Sequence, residues 1–325
     1  MRVLLAVSGG IDSMYMLHKA PELFPGVLYA VAHCNFKLRG ADSDSDEAFV
    51  CQESAKLGIE CYVNHFDTES YAAAHGVSIE MAARTLRYGW FRMLCAEKGF
   101  DALATAHNAN DNAETLILNL LRGTGTRGLR GIPGAADAAG RRESASECPV
   151  LIRPLLNTGR EEIRAWMEAK GYGWREDKTN AENGPKRNKI RNQVFPVFAE
   201  INPSFIRTLS ADMERFAQTD DIAEDYYQEA ASRIVKSAHG NTEGPILEIS
   251  VTGLLALRHW RYVLWRILED CSFSAETFDK LCKLLERYRA ETPGTVTLSG
   301  KTFQSPSCIL RARKKSLILE TRRAD

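Results

Sequence analysis

The densest chemistry in this 325-residue chain lies near its start, in Ser8-Gly9-Gly10-Ile11-Asp12-Ser13. The segment follows an apolar run, Val3–Val7, that predicts a buried strand, and it opens a helical pattern. Two glycines let the backbone turn tightly enough for successive N–H groups to face one anion. The helix N-terminus adds partial positive charge, so the expected ligand is a phosphate held by Ser8, Gly9, Gly10, Ile11 and Ser13. A bare carboxylate at Asp12 would repel that phosphate. It fits if Asp12 holds Mg²⁺, which takes oxygen ligands and bridges to phosphates. The ordinary alternative is a strand–turn–helix whose glycines serve geometry alone.

A second cluster runs Ala106-His107-Asn108-Ala109-Asn110-Asp111-Asn112-Ala113-Glu114-Thr115. Asp111 and Glu114 are three apart at a predicted helix start, so their carboxylates share a face. Acids there also cap helices. Their place after another strand, where the Ser8 loop also lies, favours a functional role for Asp111 and Glu114 beside Asp12. His33 and Asn35 end the second strand and are either nucleotide contacts or satisfied structural residues. Glu80, Arg84, Arg87, Tyr88 and Phe91 fall on one face of a helix. They form either a weak surface pair or a stacking and pairing face for a nucleotide. Lys186-Arg187-Asn188-Lys189-Ile190-Arg191-Asn192 puts cations at a helix start, against the dipole; a solvated surface is the ordinary reading, and polyphosphate or nucleic-acid contact the better one. Gly123-Thr124-Gly125-Thr126-Arg127-Gly128 fits a dinucleotide pattern but follows a helix, so it reads as a helix end and loop.

The elements that must position these residues alternate. Val3–Val7, Leu28–Ala32, Cys61–Val63 and Ala102–Ala106 read as short buried strands. Ser13–Ala20, Asp44–Leu57, Ser78–Glu97 and Asn112–Leu121 read as helices, the second opened by a capping-box-like Ser43-x-x-Asp46. This rhythm predicts an α/β fold: a doubly wound, mostly parallel sheet that binds ligands beyond its strands' carboxyl ends. Gly134–Glu147 reads as a loop and Leu151–Leu155 as a last strand. Arg160–Lys170 and Asn188–Glu200 read as helices, and a helical stretch from about Ser204 to Ile234 as a connector. A strand at Ile246–Ile249, helices Leu254–Glu269 and Ala275–Arg289, and short strands around Val296, Phe303, Ile309 and Leu317 then suggest a small α+β domain. The expected division is 1–203 catalytic, 204–240 connector and 241–325 C-terminal.

Hydrophobic residues make up 44% and charged residues 26%, as in ordinary globular proteins. Lysine plus arginine and aspartate plus glutamate balance at 42 each, so the whole-chain charge argues for no polyanion. From Arg258 to the end, however, cations outnumber acids 14 to 8, which allows a locally basic surface. The eight cysteines form no Cys-x-x-Cys, which argues for buried thiols in a reducing compartment and against a metal or iron–sulfur site. The short apolar start is no signal peptide, and no run is long enough to span a bilayer, so a cytoplasmic protein without a membrane partner is expected. No Gly-x-x-x-x-Gly-Lys-[Ser/Thr] occurs.

The Ser8 loop instead resembles the pyrophosphate loop of the N-type ATP pyrophosphatases, which cut ATP between its α- and β-phosphates. The ordered set is more specific. It includes His33-Cys34-Asn35, Leu38-Arg39-Gly40, the acidic Asp42–Glu47 run and Glu80 with Ala83-Arg84 and Arg87-Tyr88. His107 with Asp111-x-x-Glu114-Thr115 and Leu120-Leu121-Arg122-Gly123 follow. Arg153-Pro154-Leu155, Glu176-Asp177-x-x-Asn180, Arg187-Asn188-x-Ile190-Arg191 and Ile201-Asn202-Pro203 complete it. Together they resemble the bacterial tRNA(Ile)-lysidine synthetases over nearly two thirds of the chain. Phe36 and Asn110 depart from the family, which usually carries His and often Asp there.

The resemblance implies ATP and Mg²⁺ as cofactors, and L-lysine and an isoleucine tRNA with a CAU anticodon as partners. A homodimer is left open. It implies adenylation of the wobble cytidine's 2-carbonyl oxygen, then displacement of AMP by the lysine ε-amine. On that reading the Ser8 loop, His33 and Asn35 bind ATP, while Glu80, Arg84, Arg87, Tyr88, Lys186, Arg187 and Arg191 meet tRNA or substrate. Asp12, Asp111 and Glu114 are then catalytic, with Mg²⁺ on Asp12 and Asp111, and Asp111 or Glu114 binds the lysine ammonium and takes its proton. Thiolating tRNA enzymes would need a cysteine pair, and purine or NAD⁺ synthetases give no reason for the Lys186–Arg191 segment. A regulatory nucleotide-binding module would not need Asp12, Asp111 and Glu114 together.

Overall fold

The computed structural model describes residues 1–137, 149–176, 186–238, 246–290 and 297–321. Within them the chain divides into two compact units, Met1–Gln218 and Thr219–Asp325, and the division falls inside one helix, Phe205–Ile234.

The first unit is a parallel sheet with helices on both faces. Its strands are β1 (Arg2–Ala6), β2 (Leu28–Asn35), β3 (Cys61–His65), β4 (Ala102–Ala104), β5 (Ala135–Asp137) and β6 (Val150–Ile152), in the order β3-β2-β1-β4-β6-β5. All pairings are parallel except that of β5 with β6. β1 is the centre: Val3, Leu4 and Leu5 are fully buried, Leu4 in one apolar layer and Val3 and Leu5 in the other. That double burial is why the strand reads as an unbroken apolar run. β2 and β4 flank it on opposite sides, so the switch in strand order lies between the carboxyl ends of β1 and β4.

The helices are α1 (Ile11–Leu23), α2 (Ala41–Lys56), α3 (Thr68–His75), α4 (Ile79–Lys98), α5 (Ala109–Arg122), α6 (Thr126–Leu129) and α7 (Arg160–Lys170). α3 and α6 are short and were not expected. Asp67 caps α3 by accepting from Ser70 N–H, and Gly76 ends it in the left-handed region. The Ser43-x-x-Asp46 capping box does not form. α2 starts three residues earlier, after Gly40, and the Ser43 hydroxyl accepts from Arg39 N–H at 3.1 Å. Gly123 ends α5, as the loop reading of Gly123–Gly128 expects, before α6. Ala135–Asp137 pairs with β6 as a strand where a loop was expected; residues 138–148 lie outside the described residues.

A helical segment then runs as α8 (Lys186–Lys189), a π-helical turn (Ile190–Val194) and α9 (Phe195–Ile201). Such single π turns are frequent at functional sites. Ile190 and Phe195 pack on Ala113 and Leu118 of α5, fixing this basic segment beside the acidic one. α10 (Phe205–Ile234) follows.

The second unit holds a five-stranded antiparallel sheet, β7-β8-β11-β10-β9, with β7 (Val235–Ala238), β8 (Ile246–Ser250), β9 (Thr302–Gln304), β10 (Cys308–Ala312) and β11 (Ser316–Thr321). Its helices are α11 (Val251–Ala256), α12 (Trp260–Leu268) and α13 (Ala275–Ala290). The single expected helix Leu254–Glu269 is two, because Leu257 leaves the helical region at ψ 140°. The strand expected around Val296 lies outside the described residues, as do Asp177 and Asn180.

Candidate active site

The Ser8–Ser13 loop leaves β1 and enters α1 through Gly9, whose φ of +93° is open to glycine at little cost. A Cβ at Gly9 would also meet Val50 Cγ2 at 3.4 Å and Arg175 Cγ at 3.6 Å. The turn is tied from within. Ser8 N–H donates to Ser13 Oγ at 3.1 Å, and Ser13 Oγ donates to Gly10 O at 2.8 Å. It is also tied from outside, where Arg175 N–H donates to Gly9 O at 2.9 Å. Gly10 caps α1 without any side-chain bond, which leaves the helix's first N–H groups for an anion.

Asp12 faces the start of α5. Asn108 caps that helix and donates from Nδ2 to Asp12 Oδ1 at 2.9 Å. A capping box ties Asn108 to Asp111: Asp111 N–H donates to Asn108 Oδ1 at 3.0 Å, and Asn108 N–H to Asp111 Oδ2 at 3.1 Å. The capping reading of Asp111 therefore holds and does not exclude chemistry, because the cap uses Oδ2 alone and Asp111 also lines the cleft. Burial raises Asp12's pKa against the pull of Asn108, and the neighbouring Asp111 charge adds to the rise.

Arg191 closes the cluster. Its Nε donates to Glu114 Oε1 at 2.7 Å, and its Nη2 lies 3.4 Å from Asp111 Oδ1. Glu114 is fully buried, and its Oε2 has no hydrogen-bond partner. Burial outweighs the Arg191 pair and raises the Glu114 pKa. The cation-against-dipole conflict of the basic segment is resolved here: Arg191 meets two acids, and Arg187 Nη2 donates to Thr115 Oγ1 at 3.2 Å. Lys186 is exposed.

Two cavities share Ser8, Gly10 and Asp12. One, of about 360 Å³, is floored by Ala6, Val7 and Ala32 and walled by Phe36, Tyr88, Phe91 and His107. Arg87 lies over the Phe36 ring at 5.2 Å and Arg84 over Tyr88 at 5.0 Å. Phe36, where the resembling family usually has His, stacks on Phe66 at 5.5 Å and serves as an aromatic wall. The other, of about 540 Å³, is lined by Arg39, Arg160, Arg164, Arg175 and Arg191 against Asp12, Asp46 and Glu176. One is shaped for an apolar, stacking group and the other for polyphosphate.

The expected residues separate accordingly. Ser8, Gly10, Ile11, Asp12, Ser13, Arg87, Tyr88, Asp111 and Arg191 line these cavities, and Glu114 is reached through Arg191. His33 and Asn35 do not line them. His33 Nδ1 is bonded to Val7 O at 2.9 Å, and Asn35 donates to Glu47 Oε2 at 2.7 Å and Asp44 Oδ1 at 3.0 Å. His33 braces the end of β1, and Asn35 ties the end of β2 to α2. Glu80 is exposed in the first turn of α4. Asn110, the other departure, accepts from Arg160 N–H at 3.0 Å and so ties α5 to the start of α7.

Residues 1–198 match the family model of the PP-loop domain. A tRNA(Ile)-lysidine synthase of Chlorobaculum tepidum is 39% identical over 290 residues, which cover 87% of this chain and 83% of that one. The chain belongs to the tRNA(Ile)-lysidine synthases of the PP-loop family. A synthase of Parabacteroides distasonis is 35% identical over 88% of this chain, and one of Porphyromonas gingivalis 42% over 64%. The chain spans only 60% and 43% of those two relatives' lengths. A U34-tRNA thiolase of Methanococcus maripaludis with a [4Fe-4S] cluster shares the fold, with a TM-score of 0.55 at 18% identity over 67% of this chain and 73% of that one.

For a PP-loop lysidine synthase, the residues missed in the sequence are Asn108, Arg160, Arg164 and Arg175. The Asn108-x-x-Asp111 spacing is itself a capping signature, and Arg160 and Arg164 stand four apart on the helix that follows the last parallel strand. Arg175 carried no signal, since its place against Gly9 depends on the turn after α7.

His107 gives a testable pH effect. Its Nδ1 is bonded to Thr105 Oγ1 at 3.0 Å, and burial lowers its pKa to about 4 from 6.5. A base with a depressed folded pKa contributes stability above pH 6.5 that is lost as pH falls through 4. The stability gap between the protein and a His107→Asn variant is expected to be constant above pH 6.5. It should narrow toward pH 4 by on the order of 3 kcal/mol, read from urea unfolding at each pH.

Proposed function

We propose that the chain makes lysidine in an isoleucine tRNA carrying the CAU anticodon. The observation that carries this reading is the meeting of the Ser8–Ser13 loop, Asp12, Asp111, Glu114 and Arg191 at the carboxyl ends of β1 and β4. In the first step the 2-carbonyl oxygen of the wobble cytidine bonds to the α-phosphorus of ATP, and the α–β anhydride breaks to release pyrophosphate. In the second, the lysine ε-nitrogen bonds to C2 and the C–O bond breaks to release AMP. A pyrimidine carbonyl oxygen is a poor leaving group, so activation has to precede attack.

The aromatic cavity suits the nucleoside and the arginine cavity the departing pyrophosphate, with the loop between them. Among the described residues no group of three His, Cys, Asp or Glu side chains could hold a metal ion. Mg²⁺, however, commonly takes only one or two carboxylates besides phosphates and water. Asp12 and Asp111 fit that need, and the ion they hold would neutralise charge on the polyphosphate. The lysine ammonium must lose a proton before attack. Glu114 Oε2, buried without a hydrogen-bond partner, is the candidate acceptor for that ammonium, and Glu114 or Asp111 takes the proton. Arg84 and Arg87 are the candidates for nucleotide or anticodon contact, and Lys186 and Arg187 for contact with the tRNA backbone. The cytoplasm is the compartment for this work; no helix among the described residues is long and apolar enough to cross a membrane.

The test incubates the protein with ATP, Mg²⁺, radiolabelled lysine and isoleucine tRNA bearing CAU, then counts label in precipitated RNA. Alkali-stable label is the expected result, since an aminoacyl ester would be cleaved. Pyrophosphate release with another acceptor and no label in this tRNA would overturn the substrate assignment while keeping the adenylating chemistry.

A further inference from the structure

The arginine cavity contains an acid that no step above uses. Asp12 is accounted for by the ion it would hold, and Glu176 is exposed, but Asp46 sits in the wall with a side chain only 14% exposed. Both of its carboxylate oxygens accept from arginine. Arg39 Nη2 donates to Oδ2 at 2.8 Å, and Arg175 Nε to Oδ1 at 3.0 Å. The two arginines come from distant segments, Arg39 from the turn before α2 and Arg175 from the stretch after α7, and both line the cavity with Ser8 and Gly10. A cavity suited to polyphosphate thus carries a carboxylate on two of the cations that would grip it. Such an acid weakens the hold on an anionic ligand.

The acid is fixed, whereas the guanidiniums are free to turn. Val50, one turn further along α2, is fully buried where a Cβ at Gly9 would meet it at 3.4 Å. Asn35 ties Asp44 and Glu47 of the same helix to the sheet. The arginine backbones are anchored independently of their side chains: Arg39 N–H donates to Ser43 Oγ at 3.1 Å, and Arg175 N–H to Gly9 O at 2.9 Å. Their side chains are 39% and 41% exposed, so each pair with Asp46 is of the weak, solvent-screened kind. A guanidinium fits a phosphate as it fits a carboxylate, so both can turn to phosphate oxygens without moving the loop. Arg191, in the same cavity, lacks that freedom because its partner Glu114 is fully buried.

Exchange of this kind has a use in the proposed reaction. Adenylation is reversible while pyrophosphate stays bound. A pyrophosphate oxygen can attack the α-phosphorus, the bond from phosphorus to the cytidine oxygen breaks, and ATP is formed again. We infer that Asp46 competes with pyrophosphate for Arg39 and Arg175, which keeps pyrophosphate weakly held and speeds its departure before lysine attacks. The inference rests on the function proposed above. Asp46 touches no reacting atom on this reading; it is a positioning residue that acts through the two arginines.

The test titrates the full chain with pyrophosphate in the presence of Mg²⁺ and follows the heat of binding. Asp46→Asn, which removes the charge and keeps the shape, is expected to bind pyrophosphate roughly 3- to 30-fold more tightly than the unaltered protein, and Asp46→Glu about as weakly as it. An acid that merely held the arginines in place would give the opposite sign. Weaker or unchanged binding in a folded Asp46→Asn protein therefore overturns the inference, and Asp46→Ser repeats the titration should the amide unsettle α2. With Arg39→Gln and Arg175→Gln both present, Asp46→Asn should tighten binding much less. Undiminished tightening there would mean plain repulsion in place of exchange and would overturn the inference too. In turnover, Asp46→Asn should lower kcat and make lysine incorporation more sensitive to added pyrophosphate by a similar factor, with the KM for lysine and for tRNA unchanged. Lysine incorporation by the unaltered protein is read in parallel. Its absence alongside tighter binding in Asp46→Asn removes the proposed function and leaves the arginine exchange standing, whereas its presence alongside weaker or unchanged binding removes the inference alone.

Discussion

Asp12→Asn is expected to abolish lysine incorporation and pyrophosphate release, lowering kcat by roughly 10³-fold or more, and at the same time to raise the melting temperature at pH 7. The two effects share one cause. Asp12 is held where burial and the Asp111 charge oppose its ionised form. An acid whose folded pKa is raised contributes stability that is fully present below its unfolded pKa and is lost as pH rises through the folded pKa. At neutral pH the charged Asp12 is therefore a cost that the isosteric amide removes, while the Asn108 bond to Oδ1 is kept. The stability gain should shrink as pH falls through the raised Asp12 pKa, below which the side chain is itself neutral. Functional sites commonly carry destabilising charge of this kind. Rates and melting curves at pH 5 and pH 8 check both halves. Full activity in a folded Asp12→Asn protein would exclude Asp12 from the chemistry.

Removing Arg191 should have the largest effect on stability. Glu114 is fully buried, and among the described residues its ion-pair partner is Arg191, with Nε at 2.7 Å. Breaking a buried pair from one side leaves an uncompensated charge, at a cost of about 3–5 kcal/mol. In the first unit Arg191→Ala is thus expected to lower Tm by roughly 6–20 °C at pH 8. The loss should be smaller at pH 5. Burial already raises the Glu114 pKa, and without Arg191 the carboxyl group neutralises itself by taking a proton. The double variant Arg191→Ala with Glu114→Gln should recover most of the stability and none of the activity. Calorimetry on the four members of this cycle separates the pair's structural role from its catalytic one. A double variant as unstable as Arg191→Ala alone would show that Arg191 acts through packing instead.

The parallel unit was legible because its strands are buried on both faces, so Val3–Val7 and Ala102–Ala106 stand out as short apolar runs between longer helical periods. Boundaries were read less well where a backbone turn, not a side-chain pattern, sets them. α2 begins after Gly40 instead of at Ser43-x-x-Asp46, and one expected helix breaks at Leu257. α3, eight residues long, was missed because a helix of two turns carries too little periodicity to be seen.

The types and order of residues alone determine the loop chemistry. Gly9 permits a positive φ, Asp12 brings an acid to a phosphate cradle, and Asp111 and Glu114 share a helix face. These are local properties, readable at separations of a few residues. Pairings between distant segments were decided by the fold. The bond from Asn108 to Asp12 spans 96 positions, that from Arg191 to Glu114 spans 77, and Arg175 reaches Gly9 from the far end of the domain. The fold also withdrew His33 and Asn35 from the cavities, because a strand-end residue points either into the cleft or into the packing beneath it. Spacing along a chain does not carry that distinction. It is set when β2 pairs with β1 and β3 and both side chains are buried against neighbouring elements.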